Sequence, residues 1–330
     1  MLRLLGGRLL QGAFVMLAVG AIAFCLFRFV GDPVSMMVSV EDTPEIREQL
    51  RKDLGLDQGP AVQFARYLER LAHLDFGMSY RSREPVASMI AARFPATLEL
   101  VFCATLFAVF VGIPLGVVAA LNRGNWLSRL IETVSLIGIS MPTFMTGTLL
   151  ILLFSVTWRV LPSFGRGETV AIGGWTTGFL TTSGLLSLIM PSITLGLFQM
   201  TLLMRLVQGE MVEVLRADFI RFARARGLPD RIVHFRHALR NCLVPVVTVA
   251  GMQLGSLIAF AIVTETVFQW PGMGLLFVQS ISNVDVPVMA AYLIVVAFVF
   301  VTINLIVDLL YYVIDPRLRT SVASAGGRPA

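Results

Sequence analysis

The side chains best suited to do chemistry in the second half of the chain lie between Asp218 and Pro245, DFIRFARARGLPDRIVHFRHALRNCLVP. Arg221, Arg224 and Arg226 alternate there with Ala223 and Ala225, and Gly227 and Pro229 follow. Guanidinium groups offer rigid donor forks for carboxylates or lipid phosphates, and small neighbours let another backbone approach closely. A plainer reading of the same stretch is a basic loop whose arginines only fix membrane topology. Catalytic constellations are absent from the sequence. There is no GxxxxGK[ST] phosphate loop, since the only lysine, Lys52, is followed by Asp53. HExxH is missing as well, and His73, His234 and His237 all fall outside the apolar runs, so no intramembrane Ser–His pair is expected. Cys25, Cys103 and Cys242 show no paired spacing, which supports neither a disulfide framework nor a metal site.

These residues must be positioned by membrane helices. The chain has 330 residues, of which 56% are hydrophobic and 14% charged, with mean hydropathy +0.80; a soluble globular domain is excluded. Six apolar runs are long enough to span a bilayer: Leu9–Val30, Ala96–Leu121, Leu130–Val156, Leu185–Met204, Leu243–Thr264 and Pro287–Ile314. The first is too long for a cleaved signal and reads as an uncleaved helix within residues 1–30. Residues 31–95 form a polar region, with a helix-start signature at Asp42-Thr43-Pro44-Glu45, a stop at Gly55 and a second amphipathic segment from Pro60. Arginine placement sets the orientation. Eight arginines lie between Arg205 and Arg240, and others flank the first, second and last spans, whereas Glu265–Val286 has none. Both termini and the Arg224 loop are therefore expected in the cytoplasm, and the basic pI near 9.6 points to topology rather than to nucleic acid.

Around Arg224 the sequence predicts a short helix opening at Asp218 and closed by Gly227 in the left-handed conformation. ARARG (Ala223 to Gly227), followed by HALRN and Val244-Pro245, resembles the EAA loop of binding-protein-dependent ABC importer permeases. The general pattern has Glu and Ala where Arg221 and Phe222 stand, a departure typical of the dipeptide, oligopeptide and nickel branch. HLDFGMSYRSREPV, ATLEL, TETVFQWPGMG and NLIVDLLYYVIDPRLR are similar to segments of that branch, so the resemblance runs from the first helix to the DPRLR motif.

The resemblance implies an all-α membrane protein with the six-helix type I importer permease fold. Residues 1–30 would form the first helix, 31–95 an extracytoplasmic region, 96–314 the five-helix core with its coupling loop at 205–242, and 315–330 a cytoplasmic tail. It also implies a multi-pass protein of the bacterial inner membrane, with a second homologous permease, two ATPase subunits and an extracytoplasmic binding protein as partners. ATP and Mg would bind to the ATPases and no cofactor to this chain. Arg221, Ala223, Arg224, Ala225, Arg226 and Gly227 would couple to the ATPase. Di- or oligopeptides are the expected substrate, with nickel chelates and glutathione as alternatives within the branch. A proton-coupled secondary transporter is the alternative of another class.

Polar groups in or near the spans are Glu99, Glu132, Gln199, Gln253, Asn304 and Asp308. Asp308 is expected near a membrane face, solvated or paired with an arginine. Met141, Pro142, Gly251 and Gly255 suit either helix packing or a passing ligand. Trp270, Pro271 and Gly272 read as an interfacial aromatic anchor with a turn, or as a gate beside the pathway.

Overall fold

The computed structural model describes residues 2–29, 45, 48–49 and 57–314. The helix-start signature at 42–45, the Gly55 stop and the 315–330 tail lie outside them, apart from Glu45. α1 (Leu2–Phe29), α2 (Pro60–Ala72) and α3 (Val86–Leu121) are followed by α4 (Trp126–Ser140) and α5 (Thr143–Leu150), the latter continued by a π-helical stretch, Ile151–Thr157. A hairpin of β1 (Val170–Ile172) and β2 (Trp175–Thr177) precedes α6 (Thr182–Val214) and α7 (Asp218–Ala225). α8 (Asp230–Ile232) and a second π-helical stretch, Val233–Ala238, lead into α9 (Leu239–Val267). α10 (Met273–Ser282) and α11 (Val286–Ile314) complete the described chain.

Among the described residues, five helices are long and apolar enough to cross a membrane, or six if a bent pair counts as one span. That pair is α4 with α5 and its π continuation, where the chain turns by 109°. The break falls at Met141-Pro142. Pro142 has no amide to donate and pushes Met141 out of the helical region, so the ladder of α4 stops there. The span expected over Leu130–Val156 is therefore divided into two arms at the proline. Three other boundaries move. α3 begins at Val86 rather than Ala96, because Pro95 and Arg93 interrupt the apolar pattern without interrupting the helix. α6 continues past Arg205 to Val214, and α9 begins at Leu239, so both reach into the basic loop. The hairpin and α10 had no counterpart in the expected elements.

α3 and α6 form the centre of the bundle. A Cβ on Gly112 would stand 2.6 Å from the Met200 carbonyl, one on Gly116 2.5 Å from that of Met204, and one on Gly196 2.6 Å from that of Ala104. Glycine at these places lets the two backbones touch, which is how helices associate when lipid removes any hydrophobic advantage. α1 is attached on the other flank, with Gly12 against Val301 of α11. Arg8 pairs with Asp308 at 2.9 Å there, the arginine partnership expected for that carboxylate. α2 lies outside the spans and inserts Tyr67 among Ala23, Ala290 and Ile294.

Candidate functional site

α7 sits at the end of the bundle where α3 finishes. Its N-cap is Ala217, with Asp218 as first helical residue, so the expected Asp218 cap is displaced by one position. At the other end Gly227 has φ +76°, its amide bonds the Arg224 carbonyl (2.9 Å), and the Leu228 amide bonds that of Ala223 (3.4 Å). This paired closure needs a residue free to be left-handed. Nothing lies within 4 Å of where a Gly227 side chain would begin, so backbone conformation and not crowding calls for glycine.

The two faces of α7 differ in chemistry. Ile220 and Ala223 are buried against Val117 and Ala120 of α3, Val207 and Met211 of α6, Val233, and Cys242 of α9. Burying Ile220 alone is worth ~1.5–3 kcal/mol, enough to hold a two-turn helix that would not stand by itself. Phe219, Phe222, Arg221, Arg224, Ala225 and Arg226 form the exposed face. The Arg226 guanidinium lies 5.8 Å from the Phe222 ring centroid, and Arg224 approaches Asp230 at 3.8 Å. Arg221 meets Asp218 at 3.4 Å, with both side chains largely in the open. Ala223 is thus turned toward its own bundle, and the expectation that it admits another protein's backbone is corrected: its small size serves the contact with α3 and α6. The side chains that project are aromatic as well as basic. Phe222 (65% exposed), Phe219 and, on the neighbouring π stretch, Phe235 were not singled out in the sequence. The clue was present, since Phe219 and Phe222 are three apart and opposite Ile220 and Ala223. Close by, Gln208 of α6 donates to Glu132 of α4 at 2.6 Å, and Ser128 donates to the same oxygen at 2.9 Å.

The other polar cluster lies at the far end of the bundle, around Ala96–Glu99 of α3. Trp270 is fully buried and its Nε1 donates to the Ala96 carbonyl at 2.9 Å. The interfacial-anchor expectation for Trp270 is therefore corrected to a packed core residue. The Glu265 carboxylate, also fully buried, accepts from Thr97 Oγ1 (2.6 Å) and from the Leu275 amide (3.0 Å). Thr97 in turn accepts from the Met273 amide at 2.8 Å. Glu265 and Thr97 together cap the free amides that open α10, the arrangement a helix N-terminus favours. Gly272 packs directly on the carboxylate, leaving no room for a side chain, and Pro271 completes the turn. Two residues on, Glu99 holds Arg166 through Nη2 (2.6 Å) and Nε (3.1 Å).

The remaining candidates separate. A Cβ on Gly251 would lie 2.6 Å from Val307, and one on Gly255 2.5 Å from Phe300, both on α11. Both glycines are therefore committed to close helix packing. Met141 and Pro142 form the α4–α5 break, with Pro142 as the N-cap of α5, its carbonyl accepting from the Met145 and Thr146 amides. No grouping of His, Cys, Asp or Glu able to hold a metal occurs among the described residues.

The family model for binding-protein-dependent transport system inner membrane components matches residues 112–320, and its N-terminal companion matches residues 1–101. The chain belongs to this family. It is a multi-pass inner membrane protein. Among its relatives, the probable D,D-dipeptide transport system permease DdpB of Escherichia coli K12 is 40% identical over 92% of this chain and 94% of its own. The dipeptide transport system permease DppB of the same strain is 40% identical over 90% and 94%. The di/tripeptide transport system permease DppB of Pseudomonas aeruginosa UCBPP-PA14 is 40% identical over 91% and 94%. Two solved structures of the MetNI methionine ABC transporter in inward facing conformations share the fold at 18% identity. The native crystal form gives a TM-score of 0.53 over 67% of this chain and 93% of that one, and the SeMet soak form 0.55 over 69% and 97%.

Proposed function

We propose that this chain is the permease subunit of an ATP-driven importer of di- or oligopeptides, and that α7 is the element through which a separate ATPase acts on it. The observation that carries this is the two-faced α7: one side fixed to α3, α6 and α9, the other presenting phenylalanines and arginines outside the spans. Such a helix cannot move without moving the rods it is packed on, because packed interiors shift as bodies instead of deforming. The α4–α5 pair counts as one broken span, giving six. Both termini and α7 then face the cytoplasm, where ATP is available, and 31–95 faces outward.

Two ATPase subunits carry ATP and Mg, and this chain binds neither, having no phosphate loop. A second, similar permease completes the pathway, and an extracytoplasmic binding protein delivers the substrate. Peptides are favoured because three relatives at 40% identity are named for di- or tripeptide transport. Closure of the ATPases on nucleotide pulls on Phe222 and the arginines around it. The motion passes through Ile220 and Ala223 to the bundle and opens the pathway alternately to either side. The test is uptake by the complex purified with its neighbouring subunits and reconstituted in proteoliposomes. Peptide uptake should require ATP inside the cytoplasmic-face compartment and should collapse in Gly227→Val. Uptake driven by a proton gradient with no ATP would overturn the assignment.

A further inference from the structure

The break between α4 and α5 lies deep in the bundle. A Cβ on Gly138 of α4 would stand 3.0 Å from Thr201 Oγ1 and 3.2 Å from Leu197 Cγ, and one on Gly147 of α5 3.4 Å from Thr194. Thr194, Leu197 and Thr201 all belong to the apolar run Leu185–Met204 of α6. The chain turns between these two contacts, so Met141 and Pro142 lie beside the middle of that run and at neither of its ends. The break is also open. Ser140 and Pro142 are exposed, Met141 and Thr143 are half-buried, and Phe144 is 56% exposed. Its backbone is short of partners. The Pro142 carbonyl accepts from the Met145 and Thr146 amides at 3.0 and 3.1 Å. The first amides of α5, at Thr143 and Phe144, have no preceding turn to bond and no side-chain cap. The last carbonyls of α4 likewise have no following turn, because the chain leaves at 109°.

Hydrocarbon offers such groups no partner, and irregular backbone at membrane depth is tolerated only when buried in protein or beside a water-filled cavity. This chain leaves the break uncovered, so lipid is excluded as its surroundings. An apolar span of a second permease would leave the same amides and carbonyls as unpaired as lipid does. Water pairs them. We propose that the α4–α5 break lines the aqueous translocation pathway, where its amides, carbonyls and the Ser140 and Thr143 hydroxyls meet the main chain of the passing peptide. A peptide carries a donor and an acceptor on each main-chain unit whatever its side chains, so contacts of this kind admit many sequences. This placement rests on the importer assignment above and adds the segment of this chain that touches the substrate's backbone.

The test is the rate at which a hydrophilic thiol reagent labels single cysteines in the full complex in nanodiscs, over the background of the native cysteines. Ser140→Cys and Thr143→Cys should react roughly tenfold faster than Phe14→Cys, whose position is 71% exposed midway along α1. Labelling should slow about threefold when ATP and binding protein loaded with a dipeptide are added, and not when the binding protein is empty. Either cysteine provides the measurement if the other variant does not assemble. Rates as slow as at Phe14→Cys overturn the proposal, because lipid or the second permease would then cover the break. Fast labelling that peptide does not slow overturns the contact with substrate. If ATP turnover by the unaltered complex does not respond to peptide-loaded binding protein, the importer assignment itself fails, a distinguishable result.

Discussion

Replacing Phe222 by Asp removes a ring that is 65% exposed in this chain and touches little of its own protein. A buried aromatic of this kind covers ~200 Å². About two thirds of that remains to be covered by a partner, which at ~25 cal/mol per Å² sets an upper limit near 3 kcal/mol. Interface residues rarely realise the whole amount, so a loss of roughly 1.5–2.5 kcal/mol is expected, or about a ten- to seventyfold weaker complex. The new carboxylate would also draw Arg226 toward itself and away from the partner, since that guanidinium already lies 5.8 Å from the ring centroid. The assay is titration of purified ATPase against permease in nanodiscs, read as bound fraction, alongside the melting temperature of the permease alone. Affinity should fall and melting should not, because Phe222 points away from the cluster that holds α7. ATPase affinity within twofold of the unaltered protein would refute the placement of Phe222 at the docking face. A large drop in melting temperature would refute the assignment of that ring to the exposed side.

Gly227→Val forces a β-branched residue to φ +76°, a cost of at least ~1–2 kcal/mol with no clash to relieve it. Hydrogen exchange at Leu228 should quicken while exchange in α3 and α6 stays slow. Trp270→Ala empties a fully buried site and removes the second hydrogen bond on the Ala96 carbonyl, so ~3–5 kcal/mol of stability should go, whereas Trp270→Phe should lose ~1–3 kcal/mol for the hydrogen bond and the volume left by the smaller ring; thermal unfolding separates them. Tyr67 lies outside the spans, and burial pushes its phenol above the ordinary value of 10.0. The folded state therefore favours the protonated form. Its contribution is complete below pH 10 and is lost as pH rises beyond it, so α2 should loosen in alkali by hydrogen exchange, and Tyr67→Phe should remove the effect.

Much of the architecture was legible because bilayer thickness ties span length to unbroken apolar runs, and arginine spacing marked the region around α7. Helix ends were less legible. Val86–Phe94 is apolar apart from Ser88 and Arg93, and Arg93 with Pro95 divides it from the long run that begins at Ala96, yet it continues α3; Val86 and Ile90 pack against α10 and α11, contacts distant in sequence. Met141-Pro142 announced a disturbance but not its 109° size; beyond the turn, Gly147 of α5 lies close against Val267 and Phe268, contacts distant in sequence. The inward turn of Ala223 was hidden because alternation of alanine and arginine fits either face until the burial of Ile220 sets the helix rotation. Glu99 stood out as a carboxylate in an apolar stretch and Glu265 did not, and their partners Arg166 and Thr97 lie 67 and 168 residues away. Pairings across that distance are fixed by packing of the bundle, which local spacing does not encode.

The most direct measurement places a photo-crosslinking residue at position 222, and separately at 223, in the intact complex within membranes. From 222 the crosslink should run to the ATPase chain and strengthen when nucleotide closes the motor, while from 223 it should stay within the permease. Capture of the ATPase from 223 but not from 222, or reaction of position 222 with a reagent confined to the outside of the cell, would contradict the role given to α7.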